Sequence, residues 1–192
     1  MAQLNPSVNS NDHLQGKITA RIELVEYGDY QCPHCGHAYP IIKKLQQKLG
    51  ADLKFVFRNF PLSEMHPDAY NAAIATEAAG LQQKFWPMHD IIFENQEQLD
   101  EESLFRYAKA IGLNLEQFKN DIQKEELQAK VEQDFESGVR SGVNGTPSFF
   151  VNGIKYNGDW EEETFEQYLR YQIANNQKIS LARSKTIWKR NP

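Results

Sequence analysis

Only two of the chain's 192 residues are cysteines, and they stand three positions apart in Cys32-Pro33-His34-Cys35. A bond between them closes a loop too short to restrain the unfolded chain, so the fold cannot be a small scaffold stapled by disulfides. The core must come from burial instead. With 40% apolar residues and 11% aromatics, the chain has enough to build one domain of ordinary size. Two cysteines with little structural use point to chemistry.

The surroundings of the pair say what kind. Residues 17–27, KITARIELVEY, are β-rich and partly alternating, and predict a strand that Gly28 and Asp29 break. Beyond the pair, Tyr39, Ile42, Leu45 and Leu49 recur at helical steps, with Gly50 as a stop. Residues 53–57, LKFVF, predict a second strand, so the pair lies at the strand-to-helix junction of a β-α-β unit. A Cys-x-x-Cys in that position is a signature of thioredoxin-like redox chemistry.

From residue 67 to 140 the pattern is almost all helical. An Ala-rich helix covers residues 68–80 and a second covers 85–95. A third runs from an Asp100 cap to Gly112, with Leu104, Phe105, Ala108 and Ile111 on one stripe. Asn114 with Gln117 opens a short helix, and Leu127, Val131, Phe135 and Val139 line one face of a last one. The β pattern then returns. Residues 148–151 (SFFV), a type I′ turn at Asn152-Gly153 and residues 154–156 make a hairpin. Asp159 with Glu162 caps a closing helix whose stripe is Phe165, Leu169 and Ile173. The order predicts an α/β, thioredoxin-like fold, β-α-β then β-β-α, with a helical insertion. Residues 1–16 are expected as a flexible arm, 17–66 as the first half, 67–142 as the insertion, 143–175 as the second half and 176–192 as a tail.

The spacing has a physical logic. Cys32 falls at the helix N-cap and Pro33 at the first helical position, where its missing N–H costs nothing. A Cys32 thiolate can accept from the free N–H groups of His34 and Cys35, and the positive end of the helix dipole favours it further. Its pKa is therefore expected to fall, with Cys35 one turn inward as the resolving thiol. His34 would tune the pair through its imidazole. Against this stand a zinc site built from Cys32, Cys35, His34 and His37, which lacks the usual distant second ligand pair, and two inert cysteines. Glu26 shares strand parity with Ile22 and Leu24, so it is expected to point inward and exchange a proton with Cys35; the bland alternative is an exposed strand carboxylate. His37 reads equally well as a surface residue. Thr146-Pro147 is a weak local signal, since most X-Pro bonds are trans.

Taken together, the segments resemble the DsbA family of thiol-disulfide oxidoreductases. The resemblance rests on Val25-Glu26-Tyr27-Gly28-Asp29-Tyr30-Gln31-Cys32-Pro33-His34-Cys35, on Phe60-Pro61-Leu62 and Met65-His66-Pro67, on Phe85-Trp86-Pro87-Met88-His89-Asp90 with Phe93, and on residues 145–153 around Thr146-Pro147. It covers residues 12–173. It implies Cys32 as nucleophile, Cys35 as resolving thiol, a cis Pro147 against the pair, Thr146 offering backbone groups to a bound peptide, and an inward acid at Glu26. It also implies structural roles for His66, Trp86 and His89.

The net charge of −5 argues against general nucleic-acid binding, and no apolar run is long enough for a membrane span. Residues 1–16 show no basic stretch followed by an apolar one, so a cytoplasmic location is expected, with the periplasm as the alternative for a chain without its signal peptide. The expected partners are protein or peptide thiols and disulfides and a redox-recycling partner; no cofactor and no metal are expected. Two other functions compete with catalysis of exchange. One is a redox sensor or binding module switched by the same pair. The other is a glutathione-dependent enzyme of the kappa type, whose members usually carry Ser where this chain has Cys32.

Overall fold

The computed structural model describes residues 2–188, with side chains up to residue 175. Among these residues one sheet holds β1 (His13–Gly16), β2 (Ile22–Gly28), β3 (Leu53–Asn59), β4 (Ser148–Val151) and β5 (Ile154–Lys155), in the order β1-β3-β2-β4-β5. β2 and β3 are parallel and the other neighbours antiparallel. A parallel pair needs a crossover, which α1 (Pro33–Leu49) supplies. α1 ends at Gly50, whose φ of 51° suits a residue without a Cβ. Between β3 and β4 lie α2 (Ala69–Leu81), α3 (Phe85–Phe93), α4 (Glu101–Ala110), α5 (Leu115–Asp121) and α6 (Glu125–Arg140), and α7 (Glu162–Trp188) closes the described chain. No helix among the described residues is long and apolar enough to cross a membrane.

β2 is buried on both faces, which is why its sequence alternates so poorly. On one face Ile22 and Leu24 join Phe55, Phe57, Phe149 and Val151 in the main core, under Ala38, Ile42 and Leu45 of α1 and Phe165 and Leu169 of α7. On the other face Val25, Tyr27, Val56 and Phe150 pack with Leu4, Phe60 and Val143.

That second face corrects the reading of the first residues as an arm. Leu4 is buried, its N–H reaches the Gly153 carbonyl at 2.8 Å, and residues 13–16 form the edge strand β1. Arg58 is buried on β3 and grips Asp12 with two hydrogen bonds of 2.7 and 2.9 Å; it also donates to the Pro6 and Ser7 carbonyls and to the Tyr27 hydroxyl. Burial alone pushes Asp12 up, but the Arg58 guanidinium holds it below the usual carboxylate range. Scattered apolar residues and a single counterion, invisible in a polar composition, do this work.

Three local expectations also shift. β2 begins at Ile22, because residues 17–20 turn back on themselves through Ala20 N–H to the Lys17 carbonyl. The buried stripe of α6 is Leu127, Val131, Asp134, Ser137 and Gly138, whereas Phe135 and Val139 are exposed. Asp134 accepts from the Asn59 N–H and Ser137 bonds the Tyr27 hydroxyl, so polar partners decide which face turns inward. Phe135 stacks on Phe60 and, with Pro61, Leu62, Met65, Tyr70 and Val131, lines an open apolar groove of about 740 Å³. Finally, α7 begins at Glu162, and the Asp159 carboxylate accepts from the Glu161 N–H, closing a bend ahead of the helix. Of the expected tail, residues 189–192 lie outside the described residues, and the backbone of residues 176–188 continues α7.

Candidate active site

The dithiol is built by the chain leaving β2. Gly28 must lack a side chain there, because a Cβ would overlap the Phe57 ring. Asp29 then makes an Asx turn, its Oδ1 accepting from the N–H of Gln31 at 2.8 Å and of Cys32 at 3.1 Å. Cys32 adopts an extended N-cap conformation and Pro33 takes the first helical position, as the spacing requires. Both cysteines are free thiols and both are buried, at 4% and 0% exposure.

Their environments push them apart. The Cys32 thiol makes no cap hydrogen bond to the helix; it donates to the Thr146 carbonyl at 3.5 Å. Its ionised form is the one this site favours. The Cys35 thiol donates to it, and, against the cost of burial, the Thr146 hydroxyl and the backbone N–H groups of Cys35 and His34 add further stabilisation. Together they lower Cys32 from 9.0 to about 5. Burial pushes Cys35 well up, and the neighbouring Cys32 and Glu26 reinforce it. Glu26 does point inward. It is 3% exposed, paired across the sheet with Phe57 and Phe149, and burial with the charge of Cys32 pushes it up to about 8.

The Thr146-Pro147 bond is cis, and the Thr146 carbonyl meets Cys32 across 114 residues of sequence. The Thr146 hydroxyl is buried with no hydrogen-bond partner in the thiol form among the described residues, leaving it available to the thiolate.

A sequence model of the thioredoxin family matches residues 8–170. The chain belongs to the thioredoxin family. Over 160 residues it is 41% identical to the Na(+)/H(+) antiporter NhaA 1 of Mycolicibacterium vanbaalenii, a match covering 82% of this chain and 26% of that protein. It thus spans about a quarter of the length of the curated relatives it matches. It is similar to a thioredoxin-like oxidoreductase from Silicibacter pomeroyi at 26% identity and a TM-score of 0.76, over 88% of this chain and 94% of that one. It shares the fold of alpha-DsbA1 from Wolbachia pipientis at 20% identity and a TM-score of 0.79, over 92% and 97% of the two chains. The resemblance to DsbA proteins read from the motifs therefore has its counterpart in the fold.

The remaining candidates in this thioredoxin-family site fall into two groups. His34 and Pro33 are exposed beside Cys32, and His34 acts on the sulfur through its backbone N–H. His37 turns away, toward Glu161 at 3.0 Å and the Trp160 ring. Among the described residues no three or more metal-ligating side chains converge, and the four zinc candidates do not come together. His89 is buried among Phe57, Phe85, Trp86 and Phe93, with Nδ1 3.1 Å from the Tyr30 hydroxyl. His66 contacts the site itself, with Nδ1 2.8 Å from Asp29 Oδ2.

Sequence reasoning missed the residues that hold the turn from outside. The Gln96 side chain donates to the carbonyls of Tyr30 at 2.8 Å and Cys32 at 3.0 Å, and a Cβ on Gly36 would overlap its carboxamide. Gln31 and Asp68 bond each other through side chain and backbone. Nothing in periodicity marks Gln96 or Asp68. Asp29 carried a signal, since Asp followed by a helix start is the pattern of an Asx turn.

Proposed function

We propose that this chain is a dithiol-disulfide oxidoreductase acting on protein or peptide thiols through Cys32 and Cys35. The observation that carries the reading is the split between the two sulfurs, one favoured as a thiolate at a helix N-cap and the other buried beside an inward acid. In the oxidised enzyme a substrate thiolate attacks Cys32 Sγ, the bond to Cys35 breaks and Cys35 leaves as a thiolate. Glu26, protonated up to about 8, would supply its proton. A second substrate thiolate then attacks the substrate sulfur of the mixed disulfide, forming the substrate disulfide and expelling the Cys32 thiolate.

The magnitude favours oxidation of substrates. At pH 7, a Cys32 pKa of about 5 in place of 9.0 stabilises the reduced enzyme by two units, about 3 kcal/mol, or roughly 60 mV in a two-electron couple. Thr146, next to the sulfur, would offer its backbone to an extended peptide, with the cis Pro147 behind it. His34 would add positive charge beside Cys32 when protonated. The reading is tested by trapping. Cys35→Ser is expected to accumulate mixed disulfides as its Cys32 thiolate attacks a disulfide-bonded peptide and displaces one of the peptide's thiolates, and Cys32→Ser to lose exchange altogether. Normal turnover of Cys35→Ser on that peptide would refute it.

A further inference from the structure

One residue touches both cysteines. The Asp29 carboxylate is buried at 1% exposure. Its Oδ1 accepts from Gln31 and Cys32, as described, while Oδ2 accepts from the Leu62 N–H at 2.8 Å and meets His66 Nδ1 at 2.8 Å. Its backbone carbonyl accepts from the Cys32 N–H at 3.2 Å, and its own N–H points at Cys35 Sγ, 3.4 Å away. A buried carboxylate is tolerable only with its lone pairs satisfied, and these four partners do that. The same four bonds lock the turn from Asp29 to Cys32 onto the loop from Leu62 to His66. The direction of the Asp29 N–H is therefore set by a side chain anchored at both ends.

That N–H matters at one moment. Opening the disulfide leaves a negative sulfur in a site lined by Glu26 and screened from water. A backbone N–H already aimed at the position where charge develops needs no reorganisation to stabilise it.

We propose that Asp29 is a positioning residue for the exchange reaction: its carboxylate, clamped on Leu62 and His66, holds the turn whose N–H receives the Cys35 sulfur as that sulfur leaves. The inference rests on the exchange reading above. As the substrate thiolate bonds to Cys32 Sγ, the Cys32–Cys35 bond breaks and its electron pair stays on Cys35 Sγ, where the Asp29 N–H donates. The substrate thiol is oxidised, the enzyme disulfide is reduced, and no further reactant is consumed.

The groups that bear on Cys35 are Glu26, Cys32 and Asp29 itself, with His66 on the far side of the Asp29 carboxylate. Positioning and simple charge make opposite predictions. Removing a nearby negative charge favours the Cys35 thiolate, whereas losing an aligned N–H disfavours it. In a Cys32→Ser background, the Cys35 titration is followed by the pH dependence of its alkylation by iodoacetamide. Asp29→Ala is expected to move it up by about one unit, and Asp29→Asn, which keeps an acceptor for Gln31 and Cys32, by less. With Cys32 present, reduction of the oxidised Asp29→Ala enzyme by glutathione is expected to slow about tenfold. His66→Ala removes one anchor and leaves the carboxylate, so it is expected to shift Cys35 upward as well, and it serves if Asp29→Ala fails to fold. A downward shift, or none, in these variants would overturn the proposal. Failure of the unsubstituted enzyme to exchange with glutathione would instead refute the exchange reading, so the two failures are distinguishable.

Discussion

Replacing Glu26 by Gln tests the electrostatics beneath the dithiol. The Glu26 carboxyl lies between Phe57 and Phe149, and burial, reinforced by the charge of Cys32, pushes it from 4.5 to about 8. In the unfolded chain it ionises near 4.5. Between these values the folded protein keeps a proton that the unfolded chain releases. Stability is therefore fully present below pH 4.5 and is lost as the pH rises to about 8. At about 1.4 kcal/mol per unit, the loss between pH 5 and pH 8 comes to about 3 kcal/mol. Gln does not ionise, so the variant lacks this slope. Urea denaturation of the reduced wild type and Glu26→Gln at pH 5, 6, 7 and 8 measures it, since Cys32 is common to both and its titration largely cancels in the difference. The variant is expected to gain about 3 kcal/mol on the wild type across that range. It is also expected to slow exchange about 100-fold, because the proton donor proposed above for the leaving Cys35 thiolate is gone. Parallel stability curves would refute the argument that the fold holds this carboxyl protonated.

Thr146→Val removes the hydroxyl that stabilises the Cys32 thiolate; the Cys32 titration, read by thiolate ultraviolet absorbance, is expected to rise from about 5 by up to roughly one unit. Gln96→Ala leaves the Tyr30 carbonyl without its donor and should cost about 1–3 kcal/mol in urea denaturation. Gly36→Ala should cost a similar amount, about 1–3 kcal/mol, by displacing the same carboxamide. Asp12→Ala strands the buried Arg58 charge and is expected to lose about 3–5 kcal/mol. A loss below about 1 kcal/mol would mean that Asp12 is not a fixed partner of Arg58.

What was legible in the sequence had its cause within a few residues. The Cys32-Pro33 helix start, the Asp100 and Asn114 caps with their bonds to the N–H groups of Ser103 and Gln117, and the Asn152-Gly153 turn with φ values of 50° and 80° are all local events. The inward direction of Glu26 belongs with them, because strand parity is a property of the chain itself. The stripe assigned to Phe135 and Val139 failed where the deciding partners were polar and remote. Asp134 answers Asn59 across 75 residues, and Ser137 answers Tyr27 across 110.

By itself the sequence determined the order of elements from β2 onward and the placing of Cys32 at a helix N-cap with Cys35 one turn inward, because spacing along a helix or strand decides which backbone groups a side chain can reach. Only the tertiary structure decided that the first residues seal the second face of the sheet, that Asp29, His66 and Gln96 brace the dithiol, and that Thr146 meets Cys32. Those contacts satisfy buried polar groups with partners 33 to 136 residues away. Burial makes such partners obligatory, since an unpaired polar group inside costs more than a bond gains, but nothing in the local pattern says which distant residue will answer.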